Sequence, residues 1–76
     1  MNKKDIQRSF GRRLRTARST YGITQEELAD RAGLDRTYVS LVERGLRNLT
    51  LWNIHRLARG LELNPSELLQ EGSDGT

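Results

Sequence analysis

The sequence predicts an all-α fold, a compact bundle of five short helices without strands. Three observations carry that prediction. Apolar residues recur at spacings of three and four through most of residues 1–70. Capping residues and glycines punctuate this periodicity at short intervals. No alternating apolar–polar run survives four residues, and the β-branched residues are scattered.

The first helix is expected from about Asp5 to Tyr21, with Ile6, Phe10, Leu14, Ala17 and Tyr21 as one apolar stripe. Gly22 stops it where a left-handed residue is favoured. Thr24-Gln25-Glu26-Glu27 opens the second helix as a capping box, in which Thr24 and Glu27 satisfy each other's free backbone donors. That helix runs to Ala32 and ends at Gly33. Asp35 caps the third, which continues to Arg44 and is closed by Gly45. After a short loop Thr50 caps the fourth, whose buried stripe reads Leu51, Ile54, Leu57, Ala58 and Leu61. The fifth begins at Asn64-Pro65-Ser66-Glu67, with asparagine as cap and proline at the first helical position. It presents Leu68 and Leu69. Residues 71–76 are polar and glycine-rich and read as a flexible tail, so one domain spans 1–70.

Seventy-six residues support one core. A chain this short buries only about 60% of its unfolded surface, and dimerisation is a common supplement. There is no cysteine, which removes disulfides and thiolate metal sites and fits a cytoplasmic protein. No apolar run approaches the roughly 18 residues that cross a bilayer, and no apolar segment follows the first lysines as a secretory signal would need. One histidine, no cysteine and no plausible carboxylate pair leave little for catalysis. No catalytic residue, metal, cofactor or small-molecule ligand is expected.

The charge is unevenly spread. Residues 1–20 hold Lys3, Lys4, Arg8, Arg12, Arg13, Arg15 and Arg18 against Asp5 alone, whereas 61–76 hold Glu62, Glu67, Glu71 and Asp74 and no base. One end suits a polyanion and the other repels it. A solvated basic helix face would look the same.

The informative stretch is 25–44. The second and third helices are separated only by Gly33 and Leu34 before the Asp35 cap, so the chain must turn sharply. Ala29 and Ala32 are small where the helices approach, Gly33 supplies a positive φ, and Leu28, Leu34, Val39 and Val42 lock the pair to the core. The set describes a helix-turn-helix, against the plainer reading of an αα-hairpin in a bundle.

Residues 10–70 resemble the helix-turn-helix family of lambdoid phage repressors, Cro proteins and their bacterial relatives. The resemblance rests on Phe10-Gly11-Arg12-Arg13-Leu14-Arg15, Thr24-Gln25-Glu26-Glu27-Leu28-Ala29 and Val42-Glu43-Arg44-Gly45. More narrowly, Leu34-Asp35-Arg36-Thr37-Tyr38-Val39-Ser40 and Glu43-Arg44-Gly45-Leu46-Arg47-Asn48-Leu49-Thr50 resemble the controller proteins of restriction–modification systems. Glu62 departs from the pattern, because relatives often close the fourth helix with glycine there.

The resemblance implies a lambda-repressor-like fold and a double-stranded DNA partner, with residues 35–44 as the recognition helix. Arg36, Thr37, Ser40, Leu41, Arg44 and Arg47 are then the candidates for reading base edges, Arg36 suiting the two acceptors of guanine. Leu41 could instead pack under the next loop. Gln25, Thr50 with its helix amino terminus, and Arg12, Arg13 and Arg15 are candidates for phosphate, while Arg18 could pair internally. Asn48 is assigned to phosphate or to the loop's own hydrogen bonds. Tyr38 could reach a phosphate or stack with its hydroxyl outward. Proteins of this kind usually dimerise on a pseudo-palindromic operator. Trp52, His55, Leu61, Leu63, Leu68 and Leu69 are the expected homodimer surface, although Trp52 could also cover the core edge. The function implied is a dimeric transcription regulator controlling its own restriction–modification operon. The alternatives are a phage-type or stand-alone regulator, and a protein-interaction module on the same fold.

Overall fold

In a computed structural model that describes residues 1–70, five helices follow in order: α1 Lys3–Tyr21, α2 Gln25–Ala32, α3 Arg36–Glu43, α4 Leu51–Gly60 and α5 Pro65–Leu68. No strand occurs among the described residues. The tail expected at 71–76 lies outside them.

Local chemistry sets the ends. α1 starts two residues earlier than its apolar stripe suggested, because Asn2 accepts from the Asp5 amide at 2.9 Å and Asp5 answers the Asn2 amide. Thr24 and Glu27 form the expected reciprocal box on α2, with bonds of 3.0 and 2.8 Å. Asp35 caps α3 by accepting from the Thr37 amide at 2.7 Å. α3 ends at Glu43, one residue before the expected boundary, with Arg44 as its cap and Gly45 left-handed at φ 76°. α4 ends at Gly60, and Glu62 beyond it takes a left-handed φ of 56°. A non-glycine residue persists there because its carboxylate accepts from the Tyr21 hydroxyl at 2.8 Å and from Arg31 Nη2 at 3.2 Å. Arg31 stacks on the Tyr21 ring, which ties the end of α1 to α2 and to the α4–α5 turn.

α1 packs on α3, α2 on both α3 and α4, and α5 folds back against α1 and α4. Their shared core is Phe10, Leu14, Leu28, Ala29, Ala32, Val39, Val42, Leu57, Ala58, Leu61 and Leu68. Ala17 and Ile54 of the predicted stripes pack against it partly buried, and three other stripe residues face solvent. Ile6 and Tyr21 are exposed, and Leu51 is 69% exposed because the opening turn of α4 stands in solvent. The stripe of α4 begins at Ile54.

α1 and α3 meet at Gly11. A β-carbon there would lie 2.5 Å from the Val42 carbonyl oxygen and 2.7 Å from that of Glu43, and neither backbone atom can yield. Gly11→Ala should therefore cost about 2–3 kcal/mol through overpacking, despite the roughly 1 kcal/mol helix-propensity gain. A thermal melt checks this, and a midpoint at or above the parent's would contradict the close approach.

Candidate nucleic-acid interface

Val39 and Val42 face the core completely buried, so a helix with 3.6 residues per turn must send Thr37, Ser40 and Arg44 away from it, while Arg36, three residues before Val39, reaches solvent as the first residue of α3. Arg36, Thr37 and Arg44 are exposed, and Ser40 and Leu41 are half-buried along the flank. The Asp35 carboxylate is engaged in capping, and Arg36 has no acidic partner among the described residues.

Behind this helix the loop to α4 is organised by Tyr38. Its ring carries the Arg47 guanidinium 5.1 Å from the centroid, and its hydroxyl accepts from Asn53 Nδ2 at 3.1 Å. Tyr38 therefore stacks beneath Arg47, with its hydroxyl held by α4 rather than turned outward. Arg47 and Asn48 are exposed, and the Asn48 side chain forms no hydrogen bond within the loop. The Thr50 hydroxyl caps α4 by accepting from the Asn53 amide at 3.1 Å, which leaves its own O–H and the backbone N–H groups of the first turn of α4 for an anion.

The residues read as phosphate donors divide. Arg12 and Arg15 are exposed. Arg13 is 8% exposed beneath α5, where its guanidinium donates to the Leu68 carbonyl at 3.2 Å and to Ser9 Oγ at 3.1 Å. It is a structural residue, and the fold leaves no route from it to a phosphate. Gln25 is half-buried, and its amide nitrogen donates to Glu43 at 3.0 Å.

Glu43 is the residue that sequence reasoning passed over, quoted in a motif and given no role. Its side chain is 1% exposed and accepts from Arg18 Nε at 2.6 Å and Arg18 Nη2 at 3.0 Å. Arg18 also donates to the Ile23 carbonyl at 2.9 Å, and its bond with Glu43 holds its guanidinium more firmly protonated than usual. A signal was available: Glu43 follows Val39 by four residues, which puts an acid on the inward face of α3 and demands an internal cation.

The expected partner residues also divide. Leu61 and Leu68 are 2% and 0% exposed in the protein's own core and have no surface to give, because α5 folds back far enough to use them internally. Leu63 is half-buried against that core. Trp52 is 65% exposed with Arg56 stacked on its ring at 5.5 Å, and His55 and Leu69 are exposed. Leu51, Trp52, His55, Arg56, Leu63 and Pro65 line an open groove there.

The helix-turn-helix domain family matches residues 9–71. The chain is 41% identical over 66 residues to control protein C.BamHI of Bacillus amyloliquefaciens, covering 86% of this chain and 82% of that protein. It is 38% identical over 68 residues to control protein C.MunI of a Mycoplasma species, covering 88% and 92%. Its fold is similar to the crystal structure of the restriction–modification controller protein C.AhdI from Aeromonas hydrophila. That match has a TM-score of 0.81 at 52% identity, covering 82% of this chain and 94% of that one.

Proposed function

Since the chain belongs to the helix-turn-helix domain family, we propose that it is a homodimeric transcription regulator that binds a pseudo-palindromic operator in double-stranded DNA. We assign it to the control of its own restriction–modification operon. The observation that carries this reading is the uncovered amino-terminal turn of α3, which offers Arg36 and Thr37 to solvent with the buried Val39 and Val42 behind them. Such a turn fits the major groove, where Arg36 can meet the paired acceptors of guanine. Arg44, Arg47, Arg12 and Arg15 add positive charge for the backbone. The relatives named as control proteins support the narrower assignment.

A single recognition helix spans too few base pairs for useful specificity, and two of them about 34 Å apart would read a symmetric site. Leu51 and Trp52 are the apolar surface that a second copy would cover. Trp52→Glu should shift the chain toward monomer in sedimentation equilibrium, and an unchanged molecular mass would remove this groove as the interface.

Footprinting and fluorescence anisotropy on the DNA upstream of the chain's own gene test the whole reading. Two symmetric protected half-sites are expected, with affinity falling roughly a thousandfold or more between 50 and 200 mM salt. No binding, or binding indifferent to salt, would leave an interaction module. Protection that spares the promoters of this gene and of a neighbouring nuclease gene would remove the controller role and leave a stand-alone regulator.

A further inference from the structure

Glu43 is a buried acid on the same helix as the exposed Arg36 and Arg44. Its buried carboxylate takes two N–H groups from Arg18, and those alone balance its charge and hold α1 to α3. The third N–H, from Gln25 Nε2 at 3.0 Å, is not needed for that balance. It crosses from α3 to the first residue of α2. It also decides which end of the Gln25 amide is nitrogen and which is oxygen.

That decision matters for an anion. Only the NH2 end of a glutamine can donate to phosphate, while its carbonyl end repels it. With one Nε2 hydrogen committed to Glu43, the second is the amide's only spare donor, and the side chain has no other partner among the described residues. Beside it the Thr24 cap takes the Glu27 amide and leaves the N–H groups of Gln25 and Glu26 at the amino terminus of α2. Arg15 Nε lies 4.0 Å from the same carboxylate, and its side chain is 69% exposed. Resting on the DNA-binding reading above, we propose that Glu43 is a positioning residue for the DNA backbone. Its carboxylate, neutralised by Arg18, holds the Gln25 amide with its nitrogen ready for a phosphate and draws Arg15 alongside.

The test uses charge-neutral replacements of the pair, because removing one partner alone would leave a buried charge. Arg18→Met/Glu43→Leu removes both charges and every acceptor for Gln25. Arg18→Met/Glu43→Gln removes the same charges but keeps one acceptor oxygen. Affinity for a random duplex is measured by anisotropy on chains whose melts show them folded. The first variant should bind roughly tenfold more weakly than the parent, the value expected for a hydrogen bond to a charged group. Adding Gln25→Ala to it should cost nothing more, and the second variant should recover most of the loss. In the free protein the two Gln25 amide proton resonances should draw together in the first variant only.

Full affinity in the first variant, no recovery in the second, or a further tenfold loss with Gln25→Ala would each overturn the proposal. Should the first variant fail to fold, Arg18→Met/Glu43→Met takes its place with the same expectations. A parent chain that binds no duplex sinks the DNA reading and this proposal with it. A parent that binds while the losses multiply sinks this proposal alone.

Discussion

Arg36→Ala should weaken binding to the specific operator by about 1–3 kcal/mol per half-site, which for a dimer on two half-sites is roughly thirtyfold or more. Affinity for random duplex should change little. The asymmetry follows from the position of the side chain. Arg36 is the first residue of α3, exposed and without an acidic partner among the described residues, so its guanidinium can be spent wholly on a base edge. Anisotropy against operator and random DNA at one fixed salt concentration gives both numbers. Equal losses on the two duplexes would show that Arg36 touches only the backbone, and base reading would pass to Thr37, Ser40 and Arg44.

Arg18→Ala should be the most damaging single change to stability. It would strand the Glu43 carboxylate, whose side chain is 1% exposed, with Gln25 as its one close donor. Breaking a buried pair by removing one partner costs about 3–5 kcal/mol, which is most of the stability of a marginal domain. The melting midpoint should fall by more than about 10 °C. Arg18→Lys should restore part of it, because the charge returns without the two-pronged geometry. A melt unchanged by Arg18→Ala would mean that Glu43 finds another cation, for which Arg15 at 4.0 Å is the nearest candidate.

What could be read from the sequence was local. Thr24 with Glu27, Asp35, Thr50 and Asn64 announce helix starts through bonds that span two or three residues, and all four caps are present. The outward turn of α3 was also legible, because Val39 and Val42 fix which way Thr37 must point and the Asp35 cap puts Arg36 at the open end of the helix. Long-range contacts were not legible. Arg13 looks like its neighbours in a basic helix, and only the return of α5 across 55 residues turns it into an internal donor. Leu61 and Leu68 looked like surplus apolar surface for the same reason. Periodicity shows that a side chain is inward on its own helix, not whether another helix arrives to cover it.

The return of α5 has a consequence for the order in which the chain folds. Leu68 is completely buried, and its carbonyl receives the Arg13 guanidinium, so one of the first structures made must wait for one of the last. A ribosome working from the amino terminus delivers α1, α2 and α3 into a shell that stays open on one side. Until residue 68 emerges, the recognition helix would be mounted on an unfinished frame, and a message cut short before that codon would yield a product for proteolysis rather than a weakened regulator.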